Sequence, residues 1–220
     1  MPNGRLYLGT RRYSSWSLRG WLMVRLAGLD VEDQVIPLAA GATLAISTVS
    51  PSGLVPYLEH DGNRIWESLA IGEYCAELAP GLWPPGRSTR AHARSLSAEM
   101  HAGFRPLRIA MPMKLGRDRP LAAGIAPDVQ SDIDRVEHLW SSTRDAHGAA
   151  GAFLFGNFFT VADAMFAPVV ARLLSYGVPL GATAEAYRDA VRAHPLMVQW
   201  YEAAAREPVS WQLARYESIP

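Results

Sequence analysis

Three serines, Ser14, Ser15 and Ser17, stand within four residues of one another, with Trp16 among them and Arg19 just beyond. They fall between an alternating apolar stretch, residues 5–10, and an apolar-periodic stretch that runs to Ala27 and stops at Gly28. A hydroxyl at that junction caps the helix that follows. The same junction carries unpaired N–H groups and the positive end of the helix dipole, so an anion placed there is stabilised and a hydroxyl adds a further bond. A free thiol ionises near pH 8.5, and these effects lower that value. No cysteine occupies the position, so any thiolate held here belongs to a bound ligand.

Two further places could do chemistry. Pro56 heads a strand-like run, where its missing N–H confines it to an edge or a strand start. An edge at Val55 could bind an extended peptide as one more strand. Glu67 and Ser68 sit where a strand gives way to a helix, and a carboxylate with a hydroxyl can hold an α-amino and an α-carboxylate together. Taken singly, each of these features is accounted for by capping or by an ordinary edge proline.

The elements that must position them follow from periodicity. Residues 5–10 and 33–38 predict short strands, with a helix over 14–27 between them. Residues 39–53 predict a loop with at most one helical turn. "VPYLEH" and "RIWE" around "DGN" predict a hairpin, and residues 68–78 an amphipathic helix with Leu69, Ile71, Tyr74, Cys75 and Leu78 inward. The proline-rich "PGLWPPGRST" predicts a linker over 81–88 between an α/β domain, 1–80, and a helical domain, 89–220. Helices are expected over 89–112, 128–147, 160–175, 184–193 and 195–206. The tail "EPVSWQLARYES" is expected to pack back over the domain boundary.

Composition narrows the function classes. The chain has 220 residues, 49% of them hydrophobic, which supports a packed core. Twenty-one basic residues balance 21 acidic ones, and no basic run offers a phosphate-binding surface, so no nucleic-acid partner is expected. The single cysteine, Cys75, allows no disulfide framework and no paired-cysteine metal site; it reads as a core residue. No metal is expected. No signal-peptide pattern or long apolar run appears, so the expectation is a cytoplasmic protein without a membrane partner.

Together, the hydroxyl cluster after the first strand, Val-Pro before the third and Glu-Ser after the fourth resemble the glutathione transferase family over nearly the whole chain. That resemblance implies a thioredoxin-like α/β N-terminal domain joined to an all-α C-terminal domain. "YSSWSLR" looks most like the zeta and related bacterial serine-type classes, whose signature reads Ser-Ser-Cys-Ser-x-Arg and to which maleylacetoacetate isomerase belongs. It implies glutathione as co-substrate, Ser14 as the activating hydroxyl with Ser15 as its rival, and Arg19 as the motif arginine. Val55 would bind the cysteinyl backbone, Pro56 would be cis, and Glu67 and Ser68 would hold the γ-glutamyl end. "FTVADAMF" resembles the family's capping box, with Thr160 and Asp163 as its pair.

The resemblance further implies a homodimeric detoxification transferase whose thiolate attacks a small electrophile. The alternatives are a glutathione-dependent cis-trans isomerase and a non-catalytic binding protein on the same fold. Two departures from the family pattern stand out: Trp16 replaces the signature cysteine, and Leu54 stands where many members carry Gln or Lys. For the second substrate, Phe104, Arg108, Met111 and Met113 are the expected walls, with Arg108 facing any anionic group.

Overall fold

The computed structural model describes residues 2–219. Strand β1 (Gly4–Gly9) is buried from Leu6 onward and leads into helix α1 (Ser15–Leu26). Strand β2 (Glu32–Ile36) returns parallel to β1, with Arg5 opposite Glu32 and Gly9 opposite Ile36. A single helical turn, α2 (Leu44–Ser47), interrupts the loop that follows. Strands β3 (Tyr57–His60) and β4 (Asn63–Trp66) form a hairpin, and α3 (Ser68–Leu78) covers it. The strand order is β2-β1-β3-β4, and only β1–β2 is parallel.

The hairpin turn places Asp61 (φ 47°) and Gly62 (φ 76°) in the left-handed region, as a two-residue turn requires. Strand β3 begins at Tyr57 rather than at Val55, and the Val55–Pro56 bond before it is cis. Gly20 lets that proline press on α1: a Cβ there would lie 2.8 Å from the Pro56 ring. Of the residues expected to point inward from α3, Ile71 and Cys75 are fully buried, whereas Leu78 is exposed, since the last turn runs off the edge of the core.

The rest is helical: α4 (Arg87–Ala102), α5 (Arg105–Ala110), α6 (Pro127–His147), α7 (Val161–Ser175), α8 (Ala182–Ala193), α9 (Pro195–Ala205) and the short α10 (Ala214–Glu217). The single helix expected over 89–112 is two. It breaks at Gly103 and at Phe104, whose φ is 60°. Pro106 gives the reason, because a proline inside the helix would clash with the carbonyl of Ala102 and remove a bond. Helix α7 is buried along almost its whole length and packs on α1, α4 and α8, so one core joins both halves. Among the described residues no helix is long and apolar enough to cross a membrane.

Candidate active site

The β1–α1 turn is held from the helical half of the molecule. The Glu207 carboxylate accepts from the backbone N–H groups of Arg11 at 2.6 Å and Arg12 at 3.2 Å. Trp200 Nε1 donates to the Arg11 carbonyl at 3.2 Å, and the Leu115 N–H to that of Arg12 at 3.1 Å. These bonds tie a loop to partners far along the chain, so the turn presents its serines in one arrangement.

Ser14 is the N-cap of α1. Its Oγ accepts from the Ser17 N–H at 3.3 Å and donates its proton to Ser17 Oγ at 2.7 Å. Ser17 Oγ in turn accepts from the Gly9 N–H at 2.9 Å. Ser15 is placed differently. Its Oγ accepts from Arg172 Nη2 at 3.2 Å, and its own proton has no protein acceptor among the described residues. The hydroxyl engaged in capping is thus Ser14, and the hydroxyl with a proton to give is Ser15.

Two adjoining cavities flank this turn, sharing Trp16, Leu54 and Val55. The first, about 370 Å³, is lined by Pro56, Glu67, Ser68 and His101. Among the described residues neither the N–H nor the C=O of Val55 has a protein partner, which leaves an open backbone edge on its wall. Glu67 is the N-cap of α3 with φ 72°, a strained conformation that residues at binding sites often keep. Ser68 Oγ is buried and has no partner among the described residues, and an orphaned buried hydroxyl asks for a ligand acceptor or donor. His101 Nε2 lies 3.5 Å from Glu67, and its buried Nδ1 is also without a partner among the described residues. Burial lowers the His101 pKa; Glu67 pulls it back up, and Arg19 and Arg108 push it down.

The second cavity, about 390 Å³, is lined by Ser14, Ser15, Arg108, Met113, Arg172 and Tyr216 among others. Its walls therefore include two of the four residues expected for a second substrate, Arg108 and Met113. Phe104 and Met111 belong to the hydrophobic core instead and line neither cavity. The break after α4 is the cause, because it turns the chain so that only one side of residues 104–113 meets the opening.

Three guanidinium groups converge on Trp16 and Ser15. Arg19 and Arg108 lie 4.4 Å and 4.9 Å from the Trp16 ring centroid. Arg19 donates to the Met165 carbonyl, Arg108 to those of Met100 and His101, and Arg172 to those of Met111 and Arg108. None of the three forms an ion pair among the described residues. Burial, then the neighbouring Arg108, brings the Arg172 pKa down to about 10. Burial also lowers Arg19, with Arg108 and Arg172 adding to the shift, and burial lowers Arg108 against the pull of Asp132. Arginine still carries its charge at neutral pH. The result is a concentration of positive charge at the positive end of α1.

Such a corner favours anions. Sequence reasoning missed Arg172, His101, Tyr13 and Tyr216. Arg172 had a signal, being the lone charge in the otherwise apolar "MFAPVVARLLS".

The family profile described as glutathione S-transferase, N-terminal domain, matches residues 13–78, and that for the C-terminal domain matches residues 119–203. A rat maleylacetoacetate isomerase is 30% identical over 182 residues, covering 80% of each chain. One from Rhizobium meliloti is 30% identical, covering 77% of this chain and 82% of that one. Among solved structures, a Burkholderia glutathione transferase homologue with bound glutathione superposes with a TM-score of 0.70 at 26% identity, covering 94% of this chain and all of that one. A maleylacetoacetate isomerase from Anaeromyxobacter dehalogenans, also with glutathione, gives 0.65 at 27% identity, covering 94% and 97%.

Proposed function

The chain belongs to the glutathione S-transferase family, and we propose that it is a glutathione-dependent enzyme that adds the tripeptide's sulfur to a small, carboxylate-bearing electrophile. The observation that carries this reading is the Arg172–Ser15 bond. By filling an acceptor position on Ser15 Oγ, Arg172 leaves the hydroxyl proton free to point at a sulfur. The peptide backbone would run along the open Val55 edge, and its γ-glutamyl end would meet Ser68 Oγ and Glu67.

Bound glutathione supplies the nucleophile. Ser15 donates to it, the first turn of α1 and Arg172 stabilise its charge, and both effects favour the thiolate over the thiol. Ser14 keeps the turn in place through Ser17. Arg108, anchored by two carbonyls beside Trp16, offers its charge to a carboxylate on the second substrate. Conjugation and cis-trans isomerisation share the addition step. In isomerisation the carbon–sulfur bond breaks again after rotation about the former double bond, and no glutathione is consumed.

The relatives named maleylacetoacetate isomerase and the carboxylate-seeking arginines favour the isomerising variant. The test has two parts. Calorimetry should show glutathione binding, and a maleyl-type cis-olefinic acid should disappear in its presence with the glutathione concentration unchanged. Loss of glutathione in step with substrate would assign conjugation. Absence of glutathione binding would remove the reading altogether.

A further inference from the structure

One wall of the second cavity comes from the C-terminal segment. After α9 the chain runs from Pro208 through α10 and back across the cavity, where Tyr216 lines the opening. This strap has little core of its own. Leu213 is its one buried apolar residue among those described, and a helix of four residues has no independent stability.

Its position is set by polar contacts instead. The Tyr13 hydroxyl donates to Glu217 Oε1 at 2.5 Å and accepts from the Leu213 N–H at 3.3 Å. Lys114 Nζ lies 2.8 Å from Glu217 Oε2, with the lysine side chain only 12% exposed. The Tyr13 and Tyr216 rings pack 5.0 Å apart. At the far side Arg215 donates to the Ala40 carbonyl at 2.6 Å, on the loop that forms the opposite wall. The strap thus bridges the helical half and the sheet half directly over the site.

We propose that Tyr216 is a specificity-determining residue, its ring limiting the length of the group that can be carried on the sulfur, and that the Tyr13–Glu217–Lys114 latch is what positions it. This rests on the reading that the sulfur lies at Ser15, one cavity wall away. Glutathiones alkylated on sulfur probe it without any need for turnover. Each buried methylene strengthens binding about fourfold where room exists, so affinity should climb along the series from S-methyl to S-octyl until the chain meets the ring.

The experiment is calorimetric titration of the full chain with that series. The Tyr216→Ala variant should raise the ratio of S-octyl to S-methyl affinity on the order of tenfold over the unmodified protein, as two or so further methylenes find room. Tyr216→Phe, which keeps the ring, should preserve the original ratio. Glu217→Gln, which cuts the ion pair to Lys114, should shift the ratio in the Ala direction by a smaller factor. A Tyr216→Ala ratio within twofold of the original, in a variant whose circular dichroism is native, overturns the role of Tyr216. A Phe variant that behaves like Ala overturns the assignment to the ring, and an unmoved Gln variant overturns the latch. Failure of S-methylglutathione to bind the unmodified protein is a different result: it sinks the glutathione reading beneath the proposal and the proposal with it.

Discussion

Helix α7 begins at Thr160 and helix α1 at Ser14, and in each the third residue onward closes a bond back to the cap. In α7 that residue is Asp163, whose carboxylate accepts from the Thr160 N–H at 2.8 Å, its hydroxyl at 2.8 Å, the Leu154 N–H at 3.1 Å and the Tyr187 hydroxyl at 3.1 Å. In α1 it is Ser17, which accepts from Ser14 and Gly9 and carries no charge. Both helix starts are buried, and both satisfy the cap. They differ in whether the protein supplies its own anion. Helix α7 answers its dipole internally and has nothing left for a ligand. Helix α1 has no acid in its first turn and has three arginines near it, an arrangement that leaves its positive end open to an anionic ligand.

If that contrast is right, the largest effect belongs to the saturated end. Asp163→Ala orphans four buried donors at once, and each such loss costs about 1–3 kcal/mol, so about 4 kcal/mol or more in sum. For a chain of this size that lowers the melting temperature by about 10 °C, as differential scanning calorimetry would show. Glutathione affinity measured below the transition should barely change. A loss of under about 1 kcal/mol would mean that the Asp163 network is no stronger than a surface cap.

At the open end the effect falls on chemistry. On the proposed mechanism, Ser15→Ala removes a donor aimed at developing negative charge, a change that costs about 10²–10³ in rate where it has been measured in other enzymes. The sign with pH follows from the cause. A donor to the thiolate lowers the pH at which bound glutathione ionises, so its removal raises that pH. Activity should be lost most at low pH and partly regained as pH rises. Thiolate absorbance in the ultraviolet, followed against pH in the glutathione complex, reads this directly. Ser14→Ala should move the same titration less and cost about 1 kcal/mol of stability, the usual value of an N-cap. The reverse ranking would return the activating role to Ser14.

These two helix starts also show what a sequence reveals. The capping box at Thr160 and Asp163, the hairpin at Asp61–Gly62 and the Glu67–Ser68 junction were legible because the residues that make them are neighbours in the chain. The division of labour between Ser14 and Ser15 was not, since it depends on Arg172, 157 positions away. The latch on Tyr216 joins Tyr13 to a residue 204 positions on, beyond the reach of any local pattern. Phe104 and Met111 misled for the same reason: helical spacing gave their side of a helix, and a break at Gly103 reoriented it. Chemistry that the chain completes locally can be read locally. Chemistry it leaves open is completed by whatever the fold brings near.

The sharpest test exchanges the two solutions. Ser17 occupies in α1 the place that Asp163 holds in α7, and Ser17→Asp gives α1 a carboxylate able to accept from both Gly9 and Ser14, as Asp163 accepts from Leu154 and Thr160. The new charge sits at the positive end of the helix, where a carboxylate is stabilised by up to about 2 kcal/mol in sheltered geometry. The fold should therefore survive, with its circular dichroism unchanged. The same charge opposes a second anion a few ångströms away. Bound glutathione should then ionise at a pH higher by about 1, equivalent to about 1.4 kcal/mol against the thiolate. A variant that folds and ionises glutathione at the original pH would show that Arg172 and Ser15 hold the thiolate without help from the helix end, and the contrast between α1 and α7 would reduce to their side chains.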